Sequence, residues 1–225
     1  MDRLLNNMTF LYSLIISDNS LTEIYINSTK LGLKILDLSS NKKTCIKING
    51  NLSSLTKLYN RNTNIDCYNS IISFTNLLQL KEVDMTSMQI EQITFDQLPF
   101  SMMKNLEVLI LNNIYLNISI DFLNKLTTVI EVQFNNNYLD CSKNTILDKA
   151  KYISIFNLNN VKLENYCIDT GKLNFSNIVV LFSLDIGSNN LNQIKFNYFS
   201  KNYFLTILNL SSNQIKFIEI NSFGN

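Results

Sequence analysis

The chain has no histidine, only five glycines, and charged residues at just 16% of its 225 positions. Each shortage removes a class of function. Without histidine the commonest general acid–base side chain is missing. The glycines are scattered at positions 32, 50, 171, 187 and 224, so no glycine-rich loop is available to cradle a phosphate. The formal net charge is +1, which leaves no general basic footprint for nucleic acid. No stretch reaches the ~18 apolar residues needed to span a bilayer. Residues 8–16 are fairly apolar, but Asn6 and Asn7 interrupt the approach, and Leu11, Leu14 and Ile16 belong to a pattern that runs through the whole chain. A secretory leader is therefore not expected there. With no histidine and four cysteines at spacings that suit no zinc site, neither metal nor cofactor is expected.

What is abundant is leucine and isoleucine at fixed intervals. Hydrophobic residues make up 46% of a 26.0 kDa chain, enough for the core of one elongated domain. The pattern Leu-x-x-Leu-x-Leu-x-x-Asn-x-Leu recurs from starts at Leu11, Leu33, Leu55, Leu80, Leu106, Val129, Ile153, Leu181 and Leu205, at intervals of 22 to 28 residues. Side chains alternate along a strand, so positions four and six of each copy point inward and positions three, five and seven point outward. One copy cannot bury its apolar edge alone. Stacked copies bury it together, which predicts a single parallel sheet wound as a solenoid over residues 1–225. The ninth position is Asn at 19, 41, 137, 189 and 213, where an amide can serve backbone groups freed as the chain leaves the strand. Thr63 is a weaker substitute. Met88, Ile114 and Val161 interrupt the row, so those coils are expected to be looser or to bond their turns differently. Later in several copies comes Ile-x-x-x-x-Phe, as in Ile194 to Phe199 and Ile218 to Phe223, which predicts a second internal column of phenylalanines.

The outward positions of this stack are where a partner would bind. Coils two to four gather Asp37, Lys57, Tyr59, Arg61, Glu82 and Asp84 on one patch, with Val108 and Ile110 as apolar neighbours. Tyrosine and arginine are the types most enriched at binding hot spots. The competing reading is a solvated sheet face on which opposite charges of adjacent strands pair with each other. Glu82 and Asp84 are a carboxylate pair, but on an open sheet rather than in a desolvated pocket, so no catalysis is expected of them.

The cysteines fall at informative places. Cys45 and Cys67 occupy the thirteenth position of adjacent coils, and Cys141 and Cys167 lie in adjacent coils two positions out of step. Stacked coils are about 5 Å apart, within the ~4.4–6.8 Å Cα separation a disulfide requires. Two bridges are predicted, Cys45–Cys67 and Cys141–Cys167, and with them an oxidising compartment. The alternative is four small buried thiols in a reduced protein. The six Asn-x-Ser/Thr sequons, at Asn7, Asn27, Asn51, Asn117, Asn174 and Asn209, do not decide between these. A chain with 36 asparagines produces about that many by chance.

From about residue 10 onward the copies resemble the leucine-rich repeat family, and their length and phenylalanine resemble its "typical" class. The resemblance implies a horseshoe with a parallel sheet on the concave face and irregular or short helical segments on the convex side. It also implies a non-catalytic module that binds a protein ligand, extracellular as in Toll-like receptor ectodomains. The segment Asn137-Tyr-Leu-Asp140-Cys141 with the later Cys167 is similar to a flank found in leucine-rich immune proteins of insects. It departs from that flank in carrying Leu139 where a tryptophan is expected, and in repeating onward after Cys167. Innate-immune recognition is what this likeness implies, with an intracellular scaffold or an adhesion protein as the alternatives. Neither end shows a polar cap, so the chain is expected to be an excerpt of a longer protein.

Overall fold

Each repeat contributes a strand of three residues that begins two residues after the repeat start. The computed structural model describes residues 8–21, 26, 32–41, 53–63, 77–88, 103–115, 117–142, 146–196 and 198–223. The chain divides into two compact units, Met1–Ile114 and Tyr115–Asn225.

In the first unit the described strands are β1 Ser13–Ile15, β2 Ile35–Asp37, β3 Lys57–Tyr59, β4 Glu82–Asp84 and β5 Val108–Ile110. Successive strands pair in parallel and in register, so Leu14 faces Leu36, Leu36 faces Leu58, Leu58 faces Val83, and Val83 faces Leu109. The middle residue of β2 to β5 is fully buried while its neighbours are turned outward, as alternation requires. Leu33, Leu36, Leu38, Leu55 and Leu58 all have no exposed surface, and each such burial stabilises by about 1.5–3 kcal/mol.

The second unit repeats the scheme with β7 Glu131–Gln133, β9 Ile155–Asn157, β10 Ser183–Asp185 and β12 Ile207–Asn209, paired in parallel in that order. It adds short strands between the main ones: β6 Asn117–Ser119 pairs with β8 Tyr138–Asp140, and β11 Gln193–Ile194 with β13 Phe217–Ile218. Two short helices, α1 Ile120–Leu123 and α2 Asn165–Asp169, fill other turns. Ser119 caps α1 by accepting a hydrogen bond from the Phe122 amide at 3.2 Å. The expected phenylalanine column is present here. Phe175, Phe199 and Phe223 stack with ring centroids 5.8 and 5.9 Å apart.

The turn after each main strand follows one rule in all nine coils. The residue at position eight has a positive φ: Asp18, Ser40, Asn62, Ser87, Asn113, Asn136, Asn160, Ser188 and Ser212, between 51° and 60°. Asn and Asp tolerate this left-handed region better than other L residues, and serine is small enough to be held there. The bend aims the amide at the next coil. Ser40 donates to the Arg61 carbonyl at 2.7 Å, and Ser188 to that of Ser211 at 2.8 Å.

The ninth-position asparagines tie coils in the other direction. Asn189 donates to the carbonyls of Leu158 in the preceding coil (2.8 Å) and of Ile186 in its own (3.0 Å). Its Oδ1 accepts from the Val161 and Leu163 amides at 3.0 and 2.9 Å. The break at Val161 is thus bridged from the following coil. Asn41 reaches Ile16 and Leu38 in the same way, both at 2.9 Å. At the weaker position in coil three, the Thr63 hydroxyl donates to the Asn60 carbonyl at 3.2 Å.

Candidate functional site

The first unit places seven of the eight outward residues singled out above on four adjacent strands. Asp37 is the register partner of Tyr59, Tyr59 of Asp84, and Asp84 of Ile110; Lys57 is the partner of Glu82, and Glu82 of Val108. Arg61 follows β3 by two residues and so shares the same face.

Within this patch the charges pair across strands. Lys57 Nζ lies 2.6 Å from Glu82 Oε2, and the Tyr59 hydroxyl donates to Glu82 Oε1 at 2.8 Å. Arg61 Nε lies 2.5 Å from Asp84 Oδ2, and its guanidinium carbon sits 5.1 Å from the centre of the Tyr59 ring. Asp84 is buried beneath Arg61, with 5% of its side chain exposed against 50% for the arginine. Its other oxygen accepts from the Thr86 amide at 2.9 Å. Asp37 repeats that turn by accepting from the Ser39 amide at 2.9 Å. Val108 and Ile110 are half-buried beside the charged group.

The electrostatics follow from these contacts. Burial alone would raise the Glu82 carboxyl, but hydrogen bonds from Lys57 and Tyr59 outweigh it and hold the group below its ordinary value. The hydrogen bond to Glu82 pushes the Lys57 ammonium up. Burial, then the Glu82 contact, raises the Tyr59 phenol. The result is a fixed surface with ions already matched: Lys57 and Tyr59 on the Glu82 carboxylate, and Arg61, lying against the Tyr59 ring, on that of Asp84.

In the second unit, the Cys141 and Cys167 sulfurs are joined in a disulfide, with Cα atoms 5.5 Å apart. It links the end of β8 to α2. Beside it Lys172, 6% exposed, donates to the Cys141 carbonyl at 2.7 Å and to the Tyr166 hydroxyl at 3.0 Å. Cys45 and Cys67 lie outside the described residues. Among the described residues, no group of three His, Cys, Asp or Glu is placed to hold a metal ion, and no helix is long and apolar enough to cross a membrane.

Two features escaped the sequence reading. The fifth-position side chain caps the turn in both units: Asp37 and Asp84 in the first, as above, and in the second Asp185 Oδ1, which accepts from the Gly187 amide at 2.8 Å, and Asn209 Oδ1, from that of Ser211 at 3.0 Å. Asp-x-Ser, Asp-x-Thr and Asp-x-Gly at positions five to seven are its signal, since short polar side chains hydrogen-bond their own backbone two residues on. Asp185 also accepts from Asn159 and Asn209 in the flanking coils, at 3.2 and 3.0 Å. Gly187 makes room for this: a Cβ there would lie 2.9 Å from Asn159 Nδ2 and 3.0 Å from Asn209 Nδ2.

Main strands of one length, paired in parallel and rung by rung, with coils bridged by asparagines such as Asn41, Asn189 and Asn213, define the leucine-rich repeat fold, and this chain has it. Solved structures agree. A leucine-rich repeat protein of Leptospira interrogans superposes with a TM-score of 0.63 at 18% identity, covering 94% of this chain and 52% of that one. The functional domain of InlJ from Listeria monocytogenes, described as including a cysteine ladder, gives 0.57 at 16% identity, covering 95% and 51%. Internalin C2 of the same bacterium gives 0.51 at 18% identity, covering 95% and 76%. The chain therefore spans about half the length of two of these three neighbours. No protein-family model and no curated protein matches the sequence.

Proposed function

We propose that the chain is a non-catalytic protein-binding module that recognises its partner on the outward sheet face of the first unit. The observation that carries this reading is the arrangement at β3 and β4: Arg61, half-exposed, pairs with the buried Asp84 and lies against the half-buried Tyr59 ring. Rigid aromatic and arginine side chains held in place before binding lose little entropy on contact, which is what makes them anchors. Val108 and Ile110 supply an apolar border.

The module works outside the cell or as part of an ectodomain, in a recognition role of the innate-immune kind. The Cys141–Cys167 bridge supports an oxidising compartment. So does the likeness to the InlJ domain, whose description names a cysteine ladder.

The test has two arms. The partner is captured with the wild-type chain, purified, and titrated against Tyr59→Ala and Arg61→Ala. Each variant is expected to lose about 2 kcal/mol or more of binding, some thirtyfold in affinity. Unchanged affinity in both would move the binding site elsewhere. Separately, non-reducing peptide mapping of protein from its native source should recover the 141–167 crosslink; free thiols there would favour an intracellular scaffold.

A further inference from the structure

The second unit carries an exposed apolar and cationic rim along the turns that lead into its main strands. Those turns are the equivalent segments 125–130, 149–154, 177–182 and 201–206, which immediately precede or open β7, β9, β10 and β12. Their backbones are locked side by side: Ser154 donates to Ile130 at 2.7 Å, Phe182 to Ser154 at 2.8 Å, and Thr206 to Phe182 at 2.8 Å. Equivalent positions of successive coils therefore line up. On one line stand Ile130 and Phe182; beside it stand Tyr152, Val180 and Phe204, and next to those Val179 and Tyr203, all exposed. Tyr203 keeps 82% of its surface in water.

The same four segments contain Lys125, Lys149, Lys151 and Lys201 and no Asp or Glu. Among them Lys149, Lys151 and Lys201 are exposed. None of those three appears in an ion pair among the described residues. The matching rim of the first unit is of another kind. In coils two to five the equivalents of Ile130 and Phe182 are Lys34, Thr56, Lys81 and Glu107, and Lys81 is neutralised by Glu107 at 2.7 Å; the first coil, with exposed Phe10 and Tyr12, is the exception. The apolar rim is thus not something the repeat imposes.

We infer that this rim adsorbs to an anionic lipid surface. Large apolar patches exposed on a folded domain mark contact surfaces. Exposed tyrosine and phenylalanine rings suit the headgroup boundary, where an apolar body and a wet edge are both satisfied. Unpaired lysines beside them, with no carboxylate in the segments, complement a negatively charged leaflet. A row of equivalent turns meets a plane along a line, so several coils contribute at once. The contact is peripheral: side chains enter the interface and the backbone stays outside it.

The test is sedimentation of the 225-residue chain with vesicles of phosphatidylcholine alone and of phosphatidylcholine containing about 30% phosphatidylserine. The chain should sediment with the anionic vesicles and not the neutral ones, and raising salt from about 0.1 to about 0.5 M should release it. Lys149→Gln/Lys151→Gln/Lys201→Gln and Tyr152→Ser/Phe182→Ser/Phe204→Ser should each weaken partitioning about tenfold or more. Their circular dichroism should match the wild type, because every substituted side chain is exposed. Lys34→Gln/Lys81→Gln on the other unit should bind as the wild type does. No sedimentation with anionic vesicles, equal sedimentation with neutral ones, or full binding by either triple variant overturns the proposal. Loss of capture of a soluble protein by the aromatic variant, without vesicle binding by the wild type, would assign the rim to a protein instead.

Discussion

Asn60 occupies the sixth position of its coil, where the others hold Ile16, Leu38, Met85, Leu111, Phe134, Leu158, Ile186 and Leu210. Its side chain has no exposed surface, its Oδ1 has no hydrogen-bond partner, and its Nδ2 meets the poor acceptor Met88 Sδ at 3.5 Å. A buried unsatisfied amide oxygen costs about 1–3 kcal/mol. Asn60→Leu is expected to raise stability by about that amount in urea unfolding; a decrease would mean the oxygen is served after all. At Gly187 the constraint is steric. Gly187→Ala should lower stability by about 1–3 kcal/mol, because a methyl displaces the amides of two coils at once. Glu82 gives the pH dependence. Its carboxyl is held below the unfolded value of about 4.3, so its contribution is full above that value and is lost as pH falls through the lower folded one. Lys57 runs the opposite way: its contribution is present below about 10.4 and lost as pH rises past the raised folded value. Glu82→Gln should flatten the acid limb of stability against pH; an unaltered limb would mean the Lys57–Glu82 contact contributes nothing in solution. At this scale the sequence exposed which residues face outward, since alternation fixes that. It did not expose that Tyr59 and Lys57 share one carboxylate, because partner choice depends on side-chain reach across strands. The positive φ at position eight was equally hidden, as that residue lies outside the apolar pattern.

The coil is the working element, and its two hydrogen-bond sets point in opposite directions along the stack. Amides at position eight reach forward, and ninth-position asparagines reach back. Asn189 serves backbone groups of both coil seven and coil eight. Asn189→Ala is expected to cost about 3–5 kcal/mol, since it strands several buried backbone groups together. Hydrogen exchange should speed up at Val161 and Leu163 in particular; uniform acceleration across the unit would argue for a global effect. The main strands were legible because nine copies of one pattern average out local ambiguity. The short strands β6, β8, β11 and β13 were not, because two or three residues carry too little periodicity to separate a strand from an extended turn. The α1 cap was visible only as an isolated Ser119, a residue that also suits any turn.

For the molecule as a whole, stability is nearly a sum over coils and the contacts between neighbours, since each coil touches little else. That makes register the one assumption on which both surfaces depend. The patch at Tyr59 exists because β2 to β5 lie side by side, and the rim at Phe182 because four turns repeat in step. The main parallel sheet was therefore readable from spacing, and the Cys141–Cys167 pairing from position within the repeat. The rim was not, because its residues lie outside the inward positions four and six, and spacing alone does not say whether an apolar side chain there is covered; Phe182 is exposed where Phe156 is buried. The direct measurement of register is a set of cross-strand nuclear Overhauser contacts in isotope-labelled protein. Contacts joining Leu36 with Leu58 and Leu184 with Leu208, as the observed pairing requires, are the predicted result. Contacts displaced by one residue, or none between segments a repeat apart, would contradict the account.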